Sequence, residues 1–203
     1  REYTKLNPFV VLLGKGDHEI TSSWTDEDGD EIGTTLGITR SNITFVGTGK
    51  DTTTIFGGFD IRDLENITFK NMTVTNTSDL GSGISMSNAK VELIDVALKG
   101  NWHAGLYLTT NCTSETTVVA TRCEFVNSNY GASVFGRLTS AKFNNCVFHD
   151  NEEDGMCVVD KATVHLHGEA TAVHSNGKFG ICAQESGKVI IHLPSHHNTS
   201  YNN

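Results

Sequence analysis

The chain has 203 residues, 37% of them hydrophobic, which is enough for one domain with a substantial buried core. Its formal net charge of −9, from 24 acidic and 15 basic residues, argues against a protein that reads a nucleic-acid backbone with a basic stripe. The most apolar run, Phe9–Leu13, is too short to span a bilayer, so neither a nucleic-acid partner nor membrane insertion is expected, and the compartment stays open.

The first 40 residues are predicted to form an N-terminal cap and the first turn, or coil, of a repeating domain, and residues 41–203 its regular coils. The stretches Arg1–Pro8 and Thr21–Gly33 are expected to cover strand edges at the top of the domain, because exposed edges template aggregation. The acidic run Asp26–Glu31 places its glycine where an EF-hand calcium loop does not need it. We therefore interpret this run as a surface loop.

Between Gly83 and Asn101, apolar residues alternate with polar ones in three short runs, and polar or glycine turns separate these runs. The runs are Ile84/Met86, Val91/Leu93 and Val96/Leu98. This pattern predicts three short strands that together make one coil. The same pattern returns in each later segment, so helix is expected to be a minor component.

Four asparagines stand four residues ahead of a glycine, at successive spacings of 26, 24 and 25 residues. They are Asn101, Asn127, Asn151 and Asn176, followed by Gly105, Gly131, Gly155 and Gly180. Asp79 and Gly83 extend this register by one unit. Such a period is typical of a stacked solenoid, and amide side chains suit its corner because they donate and accept hydrogen bonds at once. The four asparagines are therefore predicted to form a structural ladder.

Stacked coils pair each strand in parallel with its equivalents above and below, so inward apolar residues form one continuous core. The sequence thus predicts an all-β domain, a single-stranded right-handed parallel β-helix of about six or seven coils from about Phe9 onward. A stack of this kind has two open ends, and the polar C-terminal segment with Pro194 is a modest cap. An end-on homo-oligomer is therefore one expectation.

The coil pattern, the opening segment Phe9–Ile20 and the stretch Ile43–Gly58 together resemble the pectate-lyase-like, right-handed parallel β-helix superfamily. The opening segment and the stretch around Val173–Asn176 are also similar to β-helix proteins of marine algae and their large DNA viruses. The superfamily resemblance implies the fold. It does not imply one function, because this scaffold carries lyases, hydrolases, epimerases, adhesins and substrate-binding modules.

In enzymes of the superfamily, the chemistry usually lies on the outward face of the strand that follows the glycine corner. Aligning the chain on its glycines brings aromatic, imidazole and carboxylate side chains to this face, a mixture suited to covering a sugar ring and binding its hydroxyls. The predicted ligand-binding residues are Trp102, His103, Tyr107, Tyr130, Phe135, Glu152, Glu153 and Asp154.

Catalysis is predicted less strongly than binding. His103 as a base with Glu153 or Asp154 is the one candidate set, and one or two coils of about 4.8 Å each would separate these groups. The calcium-binding aspartates of pectate lyases and the short motifs of polygalacturonases and alginate epimerases are not recognisable in the sequence. We therefore expect a non-catalytic recognition module for a carbohydrate or a protein partner. The alternatives are a polysaccharide-processing enzyme of the superfamily and a structural module of a viral or cell-surface assembly.

Histidine and cysteine side chains are the usual ligands of zinc in proteins. His165 and His167 point to the same side of one strand with His192 near them on the next coil, which leaves a zinc cluster open. Outward histidines usually carry no ion, so neither a metal nor another cofactor is predicted. Cys123 and Cys146 are expected to be small core residues.

Overall fold

The computed structural model describes residues 2–25, 31–109, 112–192 and 200–203, and within these ranges the regular structure is all β. Most of the acidic run 26–31, interpreted above as a surface loop, lies outside the described residues. The strands are β1 (Phe9–Leu12), β2 (Gly16–Glu19), β3 (Ser23–Thr25), β4 (Glu31–Ile38), β5 (Ile43–Val46), β6 (Thr53–Phe56), β7 (Gly58–Arg62), β8 (Ile67–Thr75), β9 (Ile84–Ser87), β10 (Lys90–Lys99), β11 (Ala104–Leu108), β12 (Thr116–Thr121), β13 (Glu124–Val126), β14 (Tyr130–Phe135), β15 (Thr139–Asn144), β16 (Val147–His149), β17 (Met156–Val159), β18 (Thr163–His167), β19 (Ala172–His174), β20 (Ile181–Ala183), β21 (Lys188–His192) and β22 (Ser200–Tyr201).

The strands form two sheets that surround one core. An 8-stranded sheet runs in the order β20-β17-β14-β11-β9-β7-β4-β3, and the other 14 strands form the second sheet. Apart from β3 with β4, the described strand pairs are parallel, and each strand pairs with its equivalent one coil away. The result is an all-β solenoid of about seven turns, which confirms the predicted fold class.

The 14-stranded sheet is continuous because β8 and β10 run through a corner where separate strands were predicted. Asp95 lies in the middle of β10 with a φ of 53°, the left-handed conformation that bends a strand without ending it. One coil later, Arg122 takes the equivalent position with a φ of 54° and separates β12 from β13. The Arg122 guanidinium donates to both carboxylate oxygens of Asp95, at 2.8 and 2.6 Å, which joins the two corners.

The polar ladder runs through six coils at the corner ahead of the 8-stranded sheet. Its members are Asn76, Asn101, Ser128, Asn151, Asn176 and Asn203. In each step, a side-chain oxygen of one coil accepts the backbone N–H of the ladder residue in the neighbouring coil, for example Asn101 Oδ1 from the Asn76 N–H at 2.9 Å. These bonds satisfy buried backbone donors that no strand partner reaches.

The prediction that Asn127 belongs to the ladder is wrong. Its side chain is exposed, and the neighbouring Ser128 takes the ladder position, where its hydroxyl accepts the Asn101 backbone N–H at 3.1 Å. Asn127 instead has a φ of 52° and fills the left-handed position just before the ladder residue, as Asp150 does before Asn151. Asparagine suits both positions, since it tolerates left-handed φ and also bonds along a ladder. The sequence alone therefore did not separate them.

The predicted extension of the ladder to Asp79 is also wrong, because Asp79 is exposed and Asn76 holds that place.

Stacked phenylalanines fill the core. Phe125 and Phe148 stack with their ring centroids 4.4 Å apart, and Phe143 contacts Phe148 edge-on at 4.9 Å. Cys123 and Cys146 lie buried beside this cluster on adjacent coils, as expected for small core residues. Burial raises the pKa of the Cys146 thiol, so this side chain is uncharged packing material.

The glycine corners are required by the close approach of successive coils. A Cβ atom at Gly105 would lie 2.7 Å from the backbone oxygen of Gly131, and one at Gly83 would lie 2.8 Å from that of Gly105. Real Cβ atoms do not approach a backbone oxygen so closely. The glycine spacing seen in the sequence is therefore a steric consequence of coil stacking.

Replacement of Gly105 by alanine is expected to lower the free energy of unfolding by about 1–3 kcal/mol, because the new methyl group overlaps backbone that cannot move alone. Gly14→Ala is the matched control, since a Cβ there meets nothing within 4 Å. Urea unfolding of both variants measures the difference. Equal stability of the two variants would contradict the stacking account.

Asn151→Ala is expected to lower the free energy of unfolding by about 1–3 kcal/mol, because it leaves buried partners unbonded. The lost bonds are those to the Ser128 N–H at 3.2 Å, the Phe125 carbonyl at 3.2 Å and Asn176 Oδ1 at 2.8 Å. Asn127→Gly is expected to change stability by less than about 0.5 kcal/mol, because glycine accepts the left-handed φ. A loss of stability in Asn127→Gly as large as that in Asn151→Ala would instead support the predicted place of Asn127 in the ladder.

Candidate functional site

The groove face, as we name it, is the outward surface of the 8-stranded sheet. Strand pairing aligns one outward residue from each coil into a single column: Asp60, Ser85, Tyr107, Ser133, Cys157 and Cys182. Outward side chains reach this column because alternate residues of a strand point to opposite faces. The column joins distant parts of the chain into one surface.

The first half of the groove face holds a cleft of about 260 Å³. Strands β7, β9 and β11 supply its floor, and the turn at residues 80–82 supplies one wall. The polar side chains that line it are Thr35, Asp60, Arg62, Ser82, Ser85, His103 and Tyr107. Phe59 and Leu80 add apolar surface, so the cleft combines hydrogen-bonding groups with apolar contact.

Asp60 and Arg62 form an ion pair in the cleft, with 2.8 Å between the Arg62 Nε and an Asp60 carboxylate oxygen. Partial burial raises the pKa of Asp60, and the adjacent guanidinium opposes that shift without cancelling it. The Arg62 side chain is 60% exposed, so this charged pair meets both the cleft and solvent.

His103 lies beside the turn at residues 80–82 in the same cleft, where its backbone N–H donates to the Gly81 carbonyl at 2.9 Å. Its Nδ1 is 3.3 Å from the Ser82 hydroxyl oxygen, and its ring packs edge-on against Tyr107 at 5.0 Å. Burial lowers the pKa of the imidazole, because its charged form loses hydration there. His103 is therefore a neutral hydrogen-bonding group at neutral pH.

The structure brings four of the predicted ligand-binding residues into one contiguous aromatic surface. His103 contacts Tyr107 and Tyr130, with a centroid separation of 6.0 Å to the latter, and Tyr107 contacts Phe135 at 5.8 Å. All four rings are partly exposed. Such a surface offers flat apolar area with polar atoms at its rim, the combination that covers one face of a sugar ring.

Each predicted acid next to these rings already has a protein partner. Glu153 forms an ion pair with Lys178, and the buried Asp154 accepts the Phe179 backbone N–H at 3.1 Å. Desolvation raises the pKa of Asp154. The pKa of Tyr130 is also raised, by desolvation and by the negative charges of Glu153 and Asp154. Negative charge is therefore crowded at this end of the groove face.

The predicted catalytic set of His103 with Glu153 or Asp154 is not assembled into direct contact. Backbone bonds place His103 beside Tyr130 of the next coil, and Glu153 one coil further, beside Asn129. Two coils correspond to about 10 Å, which is too far for a hydrogen bond.

Trp102 and Glu152 lie around the corner from the groove face. They line a separate pocket of about 410 Å³ with Asn129 and ladder-corner residues. Trp102 is 47% exposed there. The predicted ligand-binding set is thus divided between two surfaces.

Sequence reasoning missed Asp60, Arg62, Ser82 and Ser85. Asp60 and Ser85 each follow a corner glycine, Gly58 or Gly83, by two residues, as Tyr107 follows Gly105. The signal was therefore present, but the alignment began at Gly105, one coil too late for Ser85 and two coils too late for Asp60. Ser82 gave no comparable signal, because it belongs to a turn of irregular length.

Acidification tests the environment of His103. Its folded-state pKa lies below the ordinary value of about 6.5, so the unfolded chain binds more protons as the pH falls below that value. We expect the stability of the wild-type protein to fall more between pH 7.5 and pH 5 than that of His103→Gln, as measured by urea unfolding. A matched control is His18→Gln on the other sheet, and an unchanged pH slope in His103→Gln would contradict this assignment.

Comparisons with known proteins show which family the chain and its fold match. The family described as right-handed beta helix region matches residues 38–171, well over half of the chain. No curated protein sequence matches the chain significantly. Among the described residues, no helix is long and apolar enough to cross a membrane.

Several solved structures share the fold. Pectate lyase Pel9A is 16% identical with a TM-score of 0.59, over 83% of this chain and 46% of that one. A pectin methylesterase in complex with a hexasaccharide is 14% identical with a TM-score of 0.51, over 86% of this chain and 62% of that one. Pectin methylesterase PemA from Erwinia chrysanthemi is 15% identical with a TM-score of 0.50, over 86% of this chain and 61% of that one.

The chain thus spans less than two thirds of the length of these enzymes, and likeness at such identities concerns the fold alone. The β-helix fold that the resemblance to the pectate-lyase-like superfamily implies is confirmed, while the similarity to algal and viral proteins stays a prediction. The parallel coils, the repeated corners and the sequence match lead to one conclusion: the chain belongs to the right-handed β-helix family.

Proposed function

We propose that the protein is a carbohydrate-recognition module that binds a polysaccharide along its groove face. The observation that carries this proposal is the continuity of the cleft with the aromatic surface: His103 and Tyr107 line the cleft and also contact Tyr130 and Phe135 on the next coil. A ligand that lies across successive coils would therefore contact the polar groups of the cleft and, beside them, the rings of the aromatic surface.

The shape of the surface favours an extended ligand made of similar units. Neighbouring strands lie about 4.8 Å apart, a spacing comparable to the length of one sugar residue in a chain. Each coil therefore presents its outward side chains to about one sugar. A pectin methylesterase with the same fold is known in complex with a hexasaccharide, which supports a glycan as the class of ligand.

The charged groups favour a binding role over a catalytic one. Asp60 is paired with Arg62 and Glu153 with Lys178, and both carboxylates remain partly exposed. These partners hold the carboxylates in fixed positions, where their remaining lone pairs accept bonds from sugar hydroxyls.

A second candidate function is acid-base catalysis on the bound glycan. It is favoured by the opposite pKa shifts of Asp60, raised, and His103, lowered, in one cleft. A raised pKa makes the Asp60 carboxyl a better candidate acid, and a lowered pKa leaves the His103 imidazole unprotonated and able to act as a base. The pair would act on the sugar bound over Ser85.

The binding proposal is tested with an array of neutral and uronate-containing oligosaccharides, followed by calorimetry on each hit. Tyr107→Ala is expected to weaken binding about tenfold, because it removes a ring that covers the sugar. Tyr201→Ala, a partly exposed tyrosine on the other sheet, is the matched control and is expected to bind normally.

Each hit is then incubated with the protein and assayed for new reducing ends and for unsaturated products. Turnover that is lost in Asp60→Asn selects the second candidate, and binding without turnover selects the recognition module. If no glycan binds, or if the two tyrosine variants bind equally, the groove face is not a carbohydrate site.

A further inference from the structure

Three histidines converge on the second sheet, far from the groove face in the fold. His165 and His167 project from the same side of β18, and His192 projects from β21, in register with His167. One ring nitrogen from each residue lies within 4.8 Å of those from the other two. The nearest pair, His165 Nδ1 and His192 Nε2, is 2.9 Å apart.

This arrangement is a preformed set of three nitrogen ligands. Two histidines separated by one residue on a strand, with a third from the neighbouring strand, present their nitrogens on one side of the sheet. Three imidazoles around one ion leave a fourth position for water, and Zn²⁺ accepts such a set at bond lengths of about 2.0–2.1 Å. Small rotations of these rings close the remaining gap, because His165 and His167 are partly exposed, His192 is exposed, and none is packed in the core.

The other histidine stack of the structure is different in kind. His149 and His174 stack at 5.2 Å, and His174 stacks on Tyr201 at 5.0 Å. His149 is also held by Glu124 and Asp150, at 2.9 and 2.7 Å. In that column, carboxylates already engage His149, whereas the imidazoles of His165, His167 and His192 contact one another.

Charged side chains around the three histidines influence how tightly they can bind a cation. On β15, Lys142 pairs in register with His165 and Asn144 with His167, while on β21 Ile190 pairs with His165. Lys142 is thus the charged neighbour one coil away, and its positive charge opposes a bound cation. An ion at this place is held by three imidazole nitrogens and is bound less tightly because of one lysine.

We propose that His165, His167 and His192 bind one divalent transition-metal ion of the zinc type, which fastens β21 to β18. Strand β21 is the last strand at its end of the 14-stranded sheet, so its outer edge has no further strand from the described part of the chain. A metal ion that bridges the two strands adds a cross-link at this edge. The inference is independent of the groove face and of any carbohydrate.

Calorimetric titration of the full chain with Zn²⁺ at pH 7.5 tests the proposal. We expect the wild-type protein to be saturated by one ion at this site. His192→Ala and His167→Ala are each expected to bind Zn²⁺ about tenfold more weakly or worse, because each removes one ligand. Lys142→Gln is expected to strengthen binding about two- to fivefold, because it removes a neighbouring positive charge. Circular dichroism checks that each variant is folded before titration.

Two readouts identify the ligands. Co²⁺ in place of Zn²⁺ is expected to give visible absorption typical of four-coordinate cobalt without thiolate charge-transfer bands, and this absorption should disappear in His192→Ala. Amide exchange at Ile190 and Ile191 is expected to slow roughly tenfold or more when Zn²⁺ is in excess, and only in the protein that retains His192.

Three control variants separate the cluster from other metal ligands of the chain. Cys157→Ser removes a thiol from the group of Asp154, Cys157 and Cys182 on the groove face, which also places its ligand atoms within 4.8 Å of one another. His196→Ala with His197→Ala removes two histidines that follow in the sequence, and His149→Ala removes one from the other stack. All three are expected to bind as the wild type does. Binding that survives in His192→Ala, or that is lost in any control instead, overturns the proposal.

Discussion

The structure depends on hydrogen bonds between coils that the strands themselves cannot make. In each ladder step, the side chain of Asn or Ser reaches one coil away and accepts a backbone N–H at the corner, for instance at 2.9 Å between Asn76 and Asn101. Corners bury backbone donors that have no strand partner, and a buried unpaired donor costs about 1–3 kcal/mol. With these donors satisfied, the chain turns sharply into the 8-stranded sheet once per coil.

This corner determines where functional side chains lie. From Asn101 to Asn176, each ladder residue is followed five or six residues later by an outward strand position, such as Asn101 by Tyr107 and Asn176 by Cys182. These corners therefore set the register of this part of the groove face. Asp60 and Tyr107 are far apart in sequence yet belong to one column with Ser85 between them. The cleft is thus a product of coil register, and the irregular turn that carries Ser82 closes one side of it.

The sequence predicted the fold well because its strongest signals are those that stacking imposes. Glycine corners persist since a Cβ would strike the next coil, and inward residues alternate because one sheet face is buried. The ladder was predicted less accurately. Asn127 and Ser128 show the reason: the left-handed corner and the ladder position lie side by side, and asparagine suits both. Only the hydrogen bonds distinguish them.

Only part of the candidate site was predicted from the sequence, and the reason differs from that for the ladder. His103, Tyr107, Tyr130 and Phe135 follow the coil register, so alignment placed them on one surface, which the structure describes as contacting rings. Trp102 and Glu152 sit at the corner, where a change of one residue turns a side chain to another face. The ion pair of Asp60 with Arg62 joins neighbours two apart on one strand, a contact that periodicity allows but does not reveal.

The most direct measurement of the ladder is amide hydrogen exchange followed by nuclear magnetic resonance. The backbone amides of Asn76, Ser128 and Asn151 lie at turns, yet each donates to a ladder side chain of the neighbouring coil. Our account predicts that they exchange as slowly as the amides of the central strands, and that the amide of the exposed Thr77, which follows the ladder residue Asn76, exchanges much faster. Exchange of the three ladder amides at the rate of open turns would contradict it.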